Sequence, residues 1–125
     1  MADHSPRVAV LADDLIWASR LVAAVERAGA IALRCPNAAA LAGELAGADA
    51  VVVDLNGRGY DGVEQIRVAA AARPTIAVGQ HEDLALRRRG LHAGAPRVYS
   101  YNKLFRDGPA AIAGLLERAR EVTIG

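Results

Sequence analysis

The stretch VVVDLNGRGYDG, residues 51–62, decides the fold that the sequence predicts. Three consecutive valines are typical of a strand that is buried on both faces, and they lead directly into the charged Asp54. A carboxylate at the end of an apolar strand costs free energy unless a partner or ligand compensates for it. The stretch therefore indicates a buried strand that delivers Asp54 to a functional edge. The glycine-containing loop that follows ends at Asp61, a good N-cap for the next helix.

Outward from this stretch, short apolar runs alternate with helical patterns along the chain. The predicted strands are RVAVL (7–11), IALR (31–34), DAVVVD (49–54), PTIAVG (74–79) and RVYSY (97–101). A helix is predicted after each strand. The first has an apolar face at helical spacing, and the last begins near Asp107 or Pro109. Such alternation predicts right-handed crossovers and a parallel α/β sheet with helices on both faces.

Composition and charge bound the class of protein. The 125 residues fit one domain over 7–121 with short tails at 1–6 and 122–125. A net charge of +1 gives no reason to expect nucleic-acid binding. The single Cys35 cannot form an internal disulfide, so a cytoplasmic location is expected. No apolar run approaches the roughly 18 residues of a membrane span, so no membrane association is expected.

Acidic side chains follow two strands of the predicted sheet. Asp13 and Asp14 come after strand one, and Asp54 ends strand three with Asn56 close behind. Ligands of open parallel sheets bind at the carboxyl ends of the strands. Three unpaired carboxylates there would repel one another, and a divalent cation would remove that penalty. The sequence predicts an Mg²⁺ site formed by Asp14, Asp54 and the backbone carbonyl of Asn56, with Asp13 acting directly or through water.

Simpler roles stay open for the same residues. Asp14 could cap the first helix, Asp13 could be a solvated neighbour, and Asn56 could belong to an ordinary turn. His81 lies near the predicted pocket but is interpreted as an exposed loop histidine. Trp17, the only tryptophan, is interpreted as half-buried packing beside the apolar face of the first helix.

Three local motifs resemble the receiver domain of two-component response regulators. They are VAVLADDLIWASRLVAAVERAG, DLNGRGYDG and the AGA at 93–95, and the resemblance covers essentially the whole chain. It implies a flavodoxin-like (βα)5 fold with strand order 2-1-3-4-5. In receivers the aspartate matching Asp54 accepts a phosphoryl group from a histidine of a partner kinase. The pair matching Asp13 and Asp14 helps to hold Mg²⁺.

The sequence departs from the receiver pattern in the residues that switch the domain. Receivers carry a Ser or Thr after strand four and a Lys after strand five, both of which neutralise the phosphoryl group. Here Gly79 stands at the first position and Tyr101 near the second. A two-residue insertion would return Lys103 to the lysine position, although Leu104 replaces the proline that follows it. Arg58 also stands where the loop after Asp54 usually has a proline.

The face formed by the fourth helix, fifth strand and fifth helix is the partner face in receivers. Aromatic and arginine side chains, which anchor many interfaces, concentrate there in this sequence. We therefore expect a protein–protein interface, with a homodimer as one form, that uses Arg87, Arg88, Tyr99, Tyr101 and Arg106.

Two functions compete on these grounds. The first is a stand-alone receiver of a phosphorelay, since the sequence ends soon after the fifth helix. It would accept a phosphoryl group on Asp54 from a sensor histidine kinase or phosphotransfer protein and then bind a downstream protein. The second is a pseudo-receiver that is never phosphorylated and acts as a constitutive interaction or dimerisation module. An enzyme is not expected, because no G-x-G-x-x-G motif and no Ser-His-Asp or Cys-His set lies at the strand ends.

Overall fold

The computed structural model describes residues 5–80 and 82–124, with the backbone alone for residues 122–124. Over these ranges, strands and α-helices alternate, and a short 3₁₀ turn at Leu45–Gly47 follows the second helix. The elements are β1 Arg7–Leu11, α1 Leu15–Arg27, β2 Ile31–Cys35, α2 Ala38–Glu44, β3 Ala50–Asp54, α3 Gly62–Ala72, β4 Thr75–Gly79, α4 Leu84–Ala93, β5 Val98–Ser100 and α5 Tyr101–Ile124.

The strands form one parallel sheet in the order β2-β1-β3-β4-β5. This confirms the predicted α/β class, the flavodoxin-like topology and the 2-1-3-4-5 order. β1 and β3 are neighbours, with Leu11 beside Val53. The segments that follow these two strands therefore start side by side at the carboxyl edge of the sheet.

Helices cover both faces of the sheet. Val8 and Val10 of β1 pack in the apolar cluster beneath α1 and α5, whereas Ala9 and Leu11 pack in the cluster beneath α2, α3 and α4. Because successive side chains of a strand point to opposite faces, a central strand that serves both layers must be apolar along most of its buried length. β3 shows the same requirement, since all five of its residues are buried and only the last, Asp54, is charged.

The fifth helix begins earlier than predicted. β5 ends at Ser100, whose Oγ accepts a hydrogen bond from the Lys103 backbone N–H at 3.1 Å. α5 then starts at Tyr101 and is kinked at Asp107, where φ is −120° and ψ is 23°. The prediction that Tyr101 ends strand five was wrong, because Tyr101 belongs to the first turn of α5. The predicted helix start near Asp107 or Pro109 corresponds to the second segment of α5, which begins beyond the kink.

The far end of α5 also extends past the predicted domain limit of residue 121, because the helix continues to Ile124. None of the helices in the described ranges is both long and apolar enough to cross a membrane.

Candidate functional site at the carboxyl edge

Asp54 is the one charged side chain that is buried in the part of the chain that the structure describes, with 1% of its surface exposed. Its Oδ1 accepts a hydrogen bond from the Tyr101 hydroxyl at 2.5 Å and another from the Asn56 backbone N–H at 3.0 Å. The partner of the carboxylate is therefore a phenol from the far end of the sequence, together with the loop that follows β3.

Tyr101 is turned inward. Its ring stacks on Trp17 with 4.2 Å between ring centroids and 28° between the planes. The Arg20 guanidinium lies 5.0 Å from the Trp17 ring centroid and 4.7 Å from that of Phe105. Tyr101 was predicted to belong to the partner face; in the structure it lies in the first turn of α5 beside the carboxyl edge of the sheet, and a role in an interface stays a prediction.

The electrostatics of this pair keep the proton on the phenol. Burial raises the pKa of Asp54, the bonds from Tyr101 and Asn56 lower it, and the charges of Asp13 and Asp14 raise it further. Burial also raises the pKa of Tyr101 well above its ordinary value, and the bond to Asp54 adds to that increase. Tyr101 is thus the donor at neutral pH, and Asp54 has a neutral partner in place of a cation.

The other two carboxylates of the predicted metal set have hydrogen-bond partners of their own. Asp13 Oδ2 accepts the backbone N–H groups of Arg58 at 3.0 Å and Gly59 at 2.7 Å, and Asp13 Oδ1 lies 3.3 Å from the Arg58 nitrogen. Asp14 Oδ1 accepts the Trp17 N–H at 2.9 Å and caps α1. Within residues 5–80 and 82–124, no three His, Cys, Asp or Glu side chains form a group that could hold a metal ion. The capping role left open for Asp14 is the one observed.

The loop between β3 and α3 is fixed by a residue that the sequence analysis did not single out. The Tyr60 hydroxyl donates to the Asp54 carbonyl oxygen at 2.7 Å and lies 3.3 Å from the Leu11 carbonyl oxygen. Gly57 makes room for this ring, since a Cβ there would lie 2.1 Å from Tyr60 Cζ. The two acceptors are backbone carbonyls of β1 and β3, which are distant in sequence. The role of Tyr60 in fixing the loop therefore becomes visible only when the two strands lie side by side in the sheet.

Gly79 has no side chain, and the space that a hydroxyl-bearing side chain would need at this position is occupied by Asn56. Asn56 Oδ1 accepts the Gln80 N–H at 2.9 Å and lies 3.5 Å from the Tyr101 hydroxyl. A Cβ at Gly79 would come within 2.9 Å of this same Asn56 oxygen. Asn56 therefore contributes its side chain and its N–H to the site, beside the carbonyl for which a metal role was predicted.

Lys103 does not join the site. Its ammonium forms an ion pair with Asp107 one turn further along α5, with 3.0 Å between Nζ and Oδ2, and both side chains are about half exposed. None of the described contacts to Asp54 comes from Lys103. The side chain of this segment that contacts Asp54 is Tyr101, so the role allowed for Lys103 by a two-residue insertion is not supported.

The remaining residues of the predicted interface lie on three elements, Tyr99 on β5, Arg87 and Arg88 on α4, and Arg106 on α5. Tyr99 is half-buried against the cluster beneath α1 and α5, so it offers little free surface. The arginines of that face are exposed, namely Arg87, Arg88 and Arg106. His81 lies outside the described residues.

Comparison with known proteins places this geometry in a known architecture. No protein-family model matches the chain, and no curated protein matches it in sequence. Solved structures do match. A response regulator receiver domain protein from Methanospirillum hungatei JF-1 has a TM-score of 0.79 at 19% identity, covering 94% of this chain and 98% of that one.

Two further structures show the same similarity. A response regulator from Thermotoga maritima has a TM-score of 0.77 at 18% identity, covering 91% of this chain and 99% of that one. A response regulator protein from Burkholderia pseudomallei, solved with a phosphorylated aspartic acid, a calcium ion and citrate, has a TM-score of 0.73 at 18% identity. It covers 95% of this chain and 71% of that one. The chain therefore has the fold of response regulator receiver domains.

Proposed function

We propose that this chain is a pseudo-receiver, a signalling protein that acts by binding another protein and does not accept a phosphoryl group on Asp54. The observation that carries this proposal is the hydrogen bond from the Tyr101 hydroxyl to Asp54 Oδ1. It places a neutral donor where a receiver has the lysine that neutralises a phosphoryl group.

A carboxylate has two oxygens, and metal-assisted phosphoryl acceptance needs both. One oxygen must form the bond to phosphorus while the other contacts the cation. In this protein Oδ1 of Asp54 already accepts hydrogen bonds from Tyr101 and from the Asn56 N–H. Only Oδ2 is left both to form the bond to phosphorus and to contact the cation. The carboxylate in this hydrogen-bonded arrangement is therefore unsuited to phosphoryl acceptance.

The surroundings of Asp54 would also fail to compensate the charge of the product. A phosphoryl group brings about −1.5 to −2 charge at neutral pH, which neighbouring donors or cations must balance. Gly79 has no hydroxyl, Lys103 is paired with Asp107, and the nearby Asp13 and Asp14 already disfavour negative charge on Asp54. These neighbours favour an acidic edge that stays unphosphorylated.

The residues expected to hold Mg²⁺ do not fit that ion as they are arranged. Mg²⁺ requires several oxygen ligands that converge in near-octahedral geometry. Both oxygens of Asp13 face backbone N–H groups of the β3–α3 loop, and Asp14 Oδ1 caps α1. No step of the proposed function therefore uses a metal.

Phosphoryl acceptance remains the second candidate because one observation favours it. Asp54 is an ionisable group whose pKa is raised by burial and by two acidic neighbours, and such groups concentrate at functional sites. The Burkholderia pseudomallei structure of the same fold contains a phosphorylated aspartic acid and a calcium ion. In this candidate a kinase or phosphotransfer histidine would lose the N–P bond as an Asp54 oxygen forms the O–P bond.

The partner surface in the proposed function is the exposed arginine face of α4 and α5. Arg87, Arg88 and Arg106 present positive charge there, and α4 also exposes Leu84 and Leu91. A homodimer through this face is one form of the proposal. We expect a dimer in sedimentation velocity experiments to dissociate in Arg87→Glu/Arg88→Glu but not in Arg34→Glu, an exposed arginine on β2 at the far edge of the sheet.

Phosphorylation decides between the two candidates. The chain is incubated with Mg²⁺ and radiolabelled acetyl phosphate, beside Asp54→Asn and a known receiver as positive control. We expect no label on the chain while the positive control is labelled. Label that is lost in Asp54→Asn would overturn the proposed function and establish the second candidate.

A further inference from the structure

A cleft opens at the amino-terminal edge of the sheet, the edge opposite to Asp54. It has a volume of about 410 Å³ and lies between the end of α3, the start of β4 and the C-terminal part of α5. Much of its wall is apolar, formed by Ala70–Ala72, Pro74 and Pro96. Clefts of this size and character bind small molecules by burying their apolar part, while a few polar or charged groups fix the orientation. The charged groups of this cleft therefore indicate what it could bind.

Arg118, which lines the cleft, has an unused hydrogen-bond donor. Its Nη2 is enclosed and has no hydrogen-bond partner, and it is the one such atom among the non-exposed side chains that the structure describes. A buried donor without an acceptor costs free energy, and the cost is greater when the group is charged. No ion pair within the described residues involves Arg118, so its side chain can turn toward the cleft without losing one. An anion in the cleft would supply the missing acceptor.

The other charges of the cleft indicate the charge of the ligand. Arg73 also lines it, but the guanidinium nitrogens of Arg73 already donate to backbone carbonyl oxygens. Glu121 lines the cleft three residues after Arg118 on α5. Two guanidinium groups and one carboxylate leave a single positive charge, which one negative charge would balance. A carboxylate suits a guanidinium because its two oxygens can accept two parallel N–H groups.

We propose that this cleft binds a small monocarboxylate, whose carboxylate pairs with the Arg118 guanidinium and whose apolar body packs on Ala70–Ala72 and the two prolines. The inference goes beyond the proposed function, because the cleft lies at the other edge of the sheet and shares no residue with the site around Asp54. A ligand there would contact α3 and α5 at once. Binding to the folded chain alone would stabilise it by mass action.

Benzoate is the probe, because it combines one carboxylate with a compact apolar ring. Benzamide has nearly the same shape without the charge, and isophthalate adds a second carboxylate to the same ring. Binding to the full chain is followed by two-dimensional ¹H–¹⁵N NMR, with thermal unfolding as a second readout. We expect benzoate to bind with a dissociation constant on the order of 1 mM, to shift the amide signals of Ala70–Ala72 and Arg118, and to raise Tm. Benzamide and isophthalate should bind about tenfold more weakly.

Three variants assign the binding to the cleft. Arg118→Met removes the guanidinium and keeps a long unbranched side chain, so benzoate binding should weaken about tenfold. This variant should not be less stable than the wild type, because the buried donor that it removes has no partner. Arg120→Met is the matched control, since Arg120 is exposed on the same helix and does not line the cleft. Ala71→Leu, at an exposed position of α3, should block the cleft and weaken benzoate binding while Arg118 remains.

Several results would overturn the proposal. Benzoate that produces no saturable shifts in the wild type would exclude the site. Equal binding of benzamide, or unchanged benzoate binding in Arg118→Met, would exclude the pairing with the guanidinium, and equal binding of isophthalate would exclude the selection of a single negative charge. Shifts confined to the exposed arginines of α4 would identify non-specific anion binding in place of the cleft. Labelling of Asp54 is tested separately, so the carboxylate site can fail while the proposed function stands, and the reverse also holds.

Discussion

Gly57 and Tyr60 form a pair whose coupling can be measured. Replacing Gly57 with alanine would place a Cβ 2.1 Å from Tyr60 Cζ and 2.4 Å from both Cε2 and Oη. Carbon atoms in favourable contact are about 3.5–4.0 Å apart, so the ring must move by more than about 1 Å. The backbone is no obstacle, because the glycines with positive φ in the described part of the chain are Gly29 and Gly94.

The magnitude follows from what the displaced ring loses. Tyr60 gives up its bond to the Asp54 carbonyl at 2.7 Å and its contact with the Leu11 carbonyl at 3.3 Å. Each such bond contributes about 0.5–1.5 kcal/mol, and a carbonyl left buried without a donor adds to the loss. We expect Gly57→Ala to lower the free energy of unfolding by about 2–3 kcal/mol. In a Tyr60→Ala background the new methyl group meets no ring, so its cost should fall below about 0.5 kcal/mol.

The assay is urea unfolding of the four proteins of this double-mutant cycle, followed by circular dichroism and by Trp17 fluorescence. The expected coupling energy is about 2 kcal/mol, within the range found for residues in contact. Gly43→Ala is the matched control, because nothing lies within 4 Å of a Cβ at that helical position. A Gly57→Ala cost that is the same in both backgrounds would refute the reasoning, since the cost would then not arise from the tyrosine ring.

Three further predictions concern single side chains. Asp54→Asn should raise the free energy of unfolding at pH 7, since burial raises the pKa of Asp54 and its ionised form destabilises the fold above that pKa. The gain should shrink as the pH falls and the wild-type carboxylate is protonated, which urea titrations at two pH values would detect. Gly79→Ala should cost about 1 kcal/mol through its 2.9 Å approach to Asn56 Oδ1, and less in an Asn56→Ala background. The Cys35 thiol, fully buried and with its pKa raised to about 11, should not react with Ellman's reagent at pH 8 until urea unfolds the protein.

The sheet could be predicted from the sequence because its signals are local. β1 after Arg7 and β3 up to Asp54 are apolar runs, as a strand buried on both faces requires, and α1 and α3 carry ordinary caps, Asp14 and Asp61. The start of α5 could not be predicted in the same way. Its first turn depends on Ser100 as a cap, while Asp107 and Pro109 give an equally good local signal for a helix start.

The sequence indicated which acidic residues lie at the carboxyl edge, but it did not indicate the hydrogen bonds that they form there. Asp13, Asp14 and Asp54 do lie at one edge, close enough for the first two to raise the pKa of the third. What the sequence could not show is that the charge of Asp13 is met by backbone N–H groups of a loop 45 residues away. It also could not show that Tyr101 turns inward, because a one-residue change in where β5 ends decides the face on which that side chain lies.

Within the described residues, the hydrogen bonds to Asp54 come from neutral donors, and this bears on what its charge does. The described contacts to the carboxylate come from a phenol and a backbone N–H, while two carboxylates nearby oppose its ionisation. Burial and repulsion raise the pKa of Asp54 more than these hydrogen bonds lower it. The ionised side chain therefore lowers the stability of the fold, and packing alone does not explain why a carboxylate stands there. A charged acceptor nevertheless orients a donor more strongly than a neutral one does. We therefore expect the charge of Asp54 to hold the Tyr101 hydroxyl at the carboxyl edge, at the junction of β5 and α5 where the Tyr101 ring stacks on Trp17.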